Sequence, residues 1–238
     1  YSIAFDEIGM ELLYSSGRNN GYPYPHENDR ENDIVNLVYD MSKDKPLNID
    51  AISGDILNYN GEKYEEETIA KYEDIDDSYA KSEIEVLAQY GIALPGDKFE
   101  PNKKIKQKEF LYLLAKVNNF YINTDFDDDN FISILYNRLM NEGIVNSEEK
   151  APESFVTRET AVKFVIRALD YEEVANIEGI FKVEFKDESK INNSLKGHIA
   201  IAQGLGIVSG SEGYFNPKDN LTREQSAIVI YNLLNSNE

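Results

Sequence analysis

The feature that most constrains this chain is an internal repeat. A Gly-Ile pair occurs at Gly91-Ile92, Gly143-Ile144 and Gly206-Ile207, each time behind an apolar stripe at helical spacing. The stripes are Ile84, Leu87, Ala88; Tyr136, Leu139, Met140; and Ile199, Ala202. Glycine tolerates the left-handed conformation that closes a helix, so each pair reads as a helix end. A second helix then opens at Ile105, Val156 and Leu221. In register these second helices carry Phe110, Leu113, Leu114, Val117; Ala161, Phe164, Val165, Ala168; and Ser226, Val229, Ile230, Leu233. That i, i+3, i+4, i+7 spacing marks one buried face per helix. The pattern predicts long second helices near 107–119, 158–170 and 223–235. No helix–loop–helix unit of this size buries such a face alone, so the three units must pack on one another.

Composition narrows what such a bundle does. The 238 residues carry a formal charge of −20, half of it in the first 70 residues. A chain this acidic repels nucleic acid and anionic membranes unless its cations cluster. The longest apolar run, Phe110–Ala115, is far short of the roughly 20 residues that span a bilayer. With no cysteine, thiolate catalysis and Cys-ligated zinc are excluded. The chain opens on Tyr1, the reading expected of a processed product or a fragment. Before residue 70 the short apolar runs Met10–Tyr14, Ile34–Tyr39, Leu47–Ile49 and Ile56–Leu57 alternate with turn residues and predict short strands.

Chemistry concentrates where the second helices begin. Thr222-Arg223-Glu224-Gln225 reads as a capping box, Thr222 and Gln225 exchanging hydrogen bonds, and Thr157 caps its helix in the same way. The arginines need another reason, because a cation in a helix's first turn faces the positive end of the dipole. Arg158 and Arg223 therefore either pair with a neighbouring carboxylate or, with the helix-start amides, hold a ligand carboxylate in their bidentate fork. Lys106, Gln107 and Lys108 stand at the same place in the first unit and lack that fork. Asp125, Asp127 and Asp129 do not make a calcium loop, since Asn130 and Tyr136 stand where Gly and Glu are required. His26 and His198 are isolated, and His198 reads as a boundary residue. The glycines around 204–213 lack the Lys-Ser/Thr of a phosphate loop. Phe215 reads as core, while Tyr214 is open to either a packing or a sugar-stacking role.

The third unit resembles an S-layer homology (SLH) repeat through Phe185-Lys186-Asp187, Gly206-Ile207-Val208-Ser209-Gly210, Tyr214-Phe215-Asn216-Pro217 and Leu221-Thr222-Arg223-Glu224. The second keeps Phe126-Asp127-Asp128, Gly143-Ile144 and Val156-Thr157-Arg158-Glu159, with Pro152 the only proline where F-x-P is expected. The first keeps Tyr72-Glu73-Asp74, Gly91-Ile92 and Phe99-Glu100-Pro101 but has Lys106-Gln107-Lys108 in place of Thr-Arg-Glu. The resemblance implies an α+β chain: a mostly α pseudo-trimer of three repeats, residues 71–121, 122–180 and 181–238, behind a small β-rich segment. That segment, residues 1–70, resembles the closing strands of PepSY-like domains through Leu37-Val38-Tyr39 and Ile49-Asp50-Ala51-Ile52-Ser53-Gly54-Asp55-Ile56-Leu57.

The SLH resemblance further implies a non-enzymatic, extracellular cell-wall anchor of Gram-positive type, without cofactor or metal. Its partner would be an acidic, pyruvylated secondary cell-wall polysaccharide. The glycan-binding residues it implies are Arg223, Thr222, Glu224, Gly210, Tyr214, Arg158, Thr157, Asp187 and Asp127, with Arg223 foremost. Two other readings stand beside it. The PepSY-like segment would make the chain a peptidase regulator that the repeats merely localise, and paired carboxylates would make it a glycosidase.

Overall fold

In the computed structural model the described residues are four strands and, beyond them, residues 70–120, 122, 126 and 128–236. The chain divides into two units, Tyr1–Thr68 and Ile69–Glu238. In the first, β1 (Met10–Ser16), β2 (Asp33–Tyr39), β3 (Leu47–Asp50) and β4 (Ile56–Leu57) pair antiparallel in sequential order. Leu37 lies opposite Ile49, and Ile49 opposite Ile56. Ser53 and Gly54, the turn of the PepSY-like hairpin, lie outside the described residues.

The second unit is helical, and its helices fall where the apolar spacing puts them. Repeat 1 contributes α1 (Lys81–Gln89) and α2 (Gln107–Val117), and repeat 2 contributes α3 (Phe131–Asn141) and α4 (Arg158–Ala168). A one-turn α5 (Glu172–Ala175) leads to repeat 3, with α6 (Lys196–Gly204) and α7 (Arg223–Asn235). The predicted apolar faces are buried, except that Met140 and Ala168 are half-buried. Helices α2 and α4 end two residues earlier than the spacing predicts, because Asn119 and Asp170 adopt φ of 54° and 59° and stop them.

All three Gly-Ile pairs close their helices identically. Gly91, Gly143 and Gly206 have φ of 70–72°. The amides of Ile92, Ile144 and Ile207 each donate at 2.9 Å to a carbonyl five residues back, on Leu87, Leu139 and Ala202. Ile92, Ile144 and Ile207 are themselves buried, so the motif fixes the chain's exit and adds to the core at once.

The repeats close into a ring. Helix α2 packs on α3, α4 on α6, and α7 returns to pack on α1. At the centre, three equivalent buried residues form a cycle of backbone hydrogen bonds. Ile105 donates to Leu221 at 3.0 Å, Leu221 to Val156 at 2.9 Å, and Val156 to Ile105 at 3.2 Å. One step outward, the first amide of each second helix is met by the next repeat in the cycle. Gln107 donates to Ser154 O, Arg158 to Asp219 O and Arg223 to Lys103 O, at 2.8–2.9 Å. The second amides, of Lys108, Glu159 and Glu224, donate to the carbonyls of Pro152, Pro217 and Pro101. Helix-start donors that would otherwise need water are thus satisfied between repeats. Pro152 takes the same place as the prolines of the two F-x-P motifs, although its own neighbours do not match that motif.

Candidate functional site

The grooves of this ring lie where a second helix begins against the following repeat's loop. One consequence was not legible in any single repeat: its motifs serve two different grooves. The glycine loop of repeat 3 faces Arg158 of repeat 2, whereas Arg223 of repeat 3 faces the Leu94–Glu100 loop of repeat 1.

In the groove between repeats 2 and 3, Arg158 lies over the Phe215 ring, 5.2 Å from its centroid, and donates through Nη2 to Ser209 O at 2.5 Å. Burial lowers the pKa of its guanidinium, with Tyr79 and Asp219 acting in the opposite sense. Arg158 takes part in no ion pair among the described residues. Phe215 is core, and Gly210 fits tightly, since a Cβ there would meet Phe185 Cε1 at 2.7 Å and the Tyr214 carbonyl at 2.9 Å. Tyr214 is exposed, with Lys186 Nζ 5.1 Å from its ring centroid. Thr157 caps α4, accepting from the Thr160 amide at 3.4 Å.

Asp187 supports this loop from beneath. It is 3% exposed, and its two oxygens accept from the amides of Phe215 and Asn216, both at 2.8 Å. Asn216 holds a left-handed φ of 56°, so the carboxylate pins a strained corner. Burial raises the pKa of this carboxyl, but the Phe215 and Asn216 amides, together with its own amide and the charge of Lys190, act the other way and the net shift is downward. Asp74 does the same work in repeat 1, accepting from Phe99 and from Glu100, whose φ is 53°. F-x-D and F-x-P are therefore two halves of one device. In repeat 2, Asp128 instead accepts from the nearby Asn130 amide. Asp127 lies outside the described residues.

In the groove between repeats 3 and 1, Arg223 is 8% exposed and already engaged. Its Nη1 donates to Phe99 O at 2.8 Å and to Glu100 at 2.9 Å, and its Nη2 donates to Glu109 at 2.6 Å. Thr222 and Gln225 form the reciprocal capping box, with Thr222 Oγ1 accepting at 3.2 Å and the Thr222 amide donating at 3.0 Å. Glu224 is buried and accepts from the Ser78 hydroxyl at 2.8 Å.

The groove between repeats 1 and 2 is filled by the chain itself. Gln107 donates to Glu149 O and accepts from the Ala151 amide and the buried Tyr136 hydroxyl. Lys106 and Lys108 both pair with Glu153, at 2.6 and 2.7 Å, which draws that exposed carboxylate down to about 2.

Two residues carry roles the sequence did not signal. Tyr79 is mostly exposed, yet it lies close enough to Thr222 and Gln225 to feel their side chains, and within electrostatic reach of Glu224 and Arg158. Nothing in its local pattern distinguishes it from a loop tyrosine. His198 is not a boundary residue: it is 1% exposed, with Nε2 2.6 Å from Glu172. Glu172 pairs with Arg167, Arg167 with Glu149, and Glu149 with Lys163, so His198 of repeat 3 is joined through Glu172 to an ion-pair network inside repeat 2.

Residues 71–111 and 184–227 match the S-layer homology domain. The SLH domain is a non-catalytic anchoring module associated with cell surfaces. The match includes repeat 1, which lacks Thr-Arg, and omits repeat 2, which has it. The F-x-P motif, present in repeats 1 and 3 and absent from the sequence of repeat 2, follows the same division.

The chain is also similar to three curated enzymes. It is 30% identical over 203 residues to an amylopullulanase of Thermoanaerobacterium thermosulfurigenes, covering 78% of this chain and 11% of that protein. It is 31% identical over 176 residues to exoglucanase XynX of Acetivibrio thermocellus, covering 68% of this chain and 16% of that protein. An endoglucanase of Bacillus sp. strain KSM-635 matches over 96 residues at 38% identity, covering 39% of this chain and 10% of that protein. The chain thus spans a small fraction of each relative. No described helix is long and apolar enough to cross a membrane.

Proposed function

We propose that the SLH repeats anchor this chain non-covalently to an acidic, pyruvylated secondary cell-wall polysaccharide, outside the cell and without catalysis. The observation that carries this reading is the Arg158 guanidinium. It lies half-buried on an aromatic face with a single backbone acceptor and no carboxylate partner among the described residues. A net-negative chain that leaves an arginine unpaired in a groove has one group suited to a ligand carboxylate. Gly210 and Ser209 form the wall beside it, Tyr214 and Tyr79 offer exposed rings, and Thr157 and Asp187 position the two elements that meet there. Thr222, Glu224 and Arg223 hold the repeat 3–repeat 1 contact. This ordering puts Arg158 ahead of Arg223 in carboxylate binding.

The test is co-sedimentation with purified Gram-positive cell walls, before and after removal of their acid-labile polymer. Binding should vanish with the polymer, and equal binding to both preparations would overturn the reading. Arg158→Ala should weaken binding roughly ten- to a hundredfold with the helical content unchanged, and Arg158→Lys should recover part of it.

A further inference from the structure

The link between α4 and Phe185 is longer than closing the ring requires. It runs over residues 169–184, twice the length of the link between α2 and Phe126, residues 118–125, and both lead into the same F-x-D motif. The extra length holds α5 and the turn after it. Its inner side is built closely on repeat 3. Ala175 is buried, and a Cβ on Gly197 of α6 would meet the Ala175 carbonyl oxygen at 1.9 Å. Glu172 is held between Arg167 and His198. The outer side is apolar and uncovered. Nine large hydrophobic side chains are exposed among the described residues, and four of them, Tyr171, Val174, Ile177 and Ile180, recur at every third position here, 42–61% exposed. Scattered exposed apolar residues need no explanation, whereas a group of them on one short element marks a contact surface. The acids there are unmatched as well. Asp170, Glu173 and Glu178 are exposed and without an ion-pair partner among the described residues, and no Lys or Arg occurs between Arg167 and Lys182.

We propose that residues 170–180 dock a cationic amphipathic segment of another protein. Its apolar side chains cover Tyr171, Val174, Ile177 and Ile180, and its Lys or Arg side chains meet Asp170, Glu173 and Glu178. Charge decides among the possible occupants. A second copy would bring the same three carboxylates and a further net charge of −20. An anionic lipid surface would be repelled for the same reason. A basic segment is drawn in, and the packing of Ala175 on α6 holds the surface in place beforehand, so binding has little of it left to order. The surface is separate from the Arg158 groove: Arg158 opens α4, and residue 170 follows its last turn, about 15 Å further along the helix axis. It gives the chain a protein partner and does not rest on the wall-glycan reading.

The experiment follows the Val and Ile methyl signals of the isotope-labelled whole chain by NMR as peptides are added. The probes are three repeats of Lys-Leu-Leu-Lys, three of Lys-Ser-Ser-Lys and three of Glu-Leu-Leu-Glu, which separate charge from apolar surface. The Lys-Leu-Leu-Lys peptide should shift Val174, Ile177 and Ile180 saturably, and the other two should bind at least about tenfold more weakly. The variant Val174→Ser/Ile177→Ser/Ile180→Ser changes only exposed side chains. It should keep the wild-type circular dichroism and lose at least about tenfold in affinity for the Lys-Leu-Leu-Lys peptide. An equal response to Lys-Ser-Ser-Lys would reduce the effect to diffuse attraction toward an acidic chain and overturn the proposal. So would the three residues staying still under Lys-Leu-Leu-Lys, or the triple variant binding it as tightly as wild type. Shifts at the three that grow with protein concentration alone would assign the surface to a second copy. Larger shifts with phosphatidylcholine–phosphatidylglycerol vesicles than with the peptide would assign it to a membrane, and either result overturns the proposal.

Discussion

Arg223→Ala should destabilise the helical unit, because the arginine neutralises a carboxylate that has almost no water. Glu109 has a side chain only 8% exposed. Without Arg223 it keeps the Lys106 amide, at 2.8 Å, as its one hydrogen-bond partner among the described residues. Removing one member of a buried ion pair typically costs about 3–5 kcal/mol. The Phe99 carbonyl also loses its bond, while the lost contact to Glu100 adds little, that side chain being 47% exposed. Taking the lower bound, about 3 kcal/mol, a unit of this size should melt roughly 6–12 °C lower by circular dichroism at 222 nm. Urea unfolding should show a lower midpoint with an unchanged slope. The double variant Glu109→Gln/Arg223→Met keeps an acceptor for Lys106 and buries no charge, so it should regain more than half of the loss. A loss under about 1 kcal/mol for Arg223→Ala, or simple additivity in the double variant, would refute the buried-pair argument.

Asp187→Ala should cost about 1.5–3 kcal/mol, since two amides lose a charged acceptor at a strained corner. Because the folded pKa of Asp187 lies below its ordinary value of 3.8, its contribution is full above that value. It is lost as pH falls through the lower folded value, so urea midpoints of wild type and variant should converge in strong acid. Gly210→Ala should cost about 1–3 kcal/mol, because its Cβ would press on the Tyr214 carbonyl, a backbone atom. It should also weaken wall binding by moving Ser209 off Arg158, which co-sedimentation at a temperature well below melting would detect. Thr222→Ala should lower stability by about 1 kcal/mol through loss of the cap, read from the same urea titrations.

What the sequence made legible was whatever depends on near neighbours. Helix faces, the Gly-Ile stops and the Thr222–Gln225 box are set within five residues, and all lie where the pattern puts them. The cyclic offset is a different kind of fact. Arg223 meets Glu100 and Glu109 across 123 and 114 residues, and no local signal joins those positions. Hence a repeat with every motif looked like one complete site, although its halves face different neighbours. Pro152 was hidden for a related reason, since a proline carbonyl accepts from Lys108 whatever residue precedes it. As cations at the positive end of a helix dipole, Arg158 and Arg223 did stand out in the sequence as needing a reason. Which reason applied was not legible there, because the carboxylates that meet Arg223 come from another repeat.

The hydrogen-bond cycle through Ile105, Val156 and Leu221 has a consequence for how the chain is made. A linear repeat array grows from either end, and each added unit caps the last. Here no repeat is terminal: the loop that covers the start of α7 emerges from the ribosome more than a hundred residues before α7 itself. Until the last helix arrives, α1 lacks its partner and the Lys103 and Pro101 carbonyls have no amides to accept from. The nascent chain must therefore hold two repeats with an open seam, a state exposed to proteases and to mispairing with a second nascent copy. Once Leu221 closes the cycle the seam disappears, and unfolding from either end must first break contacts made with the other.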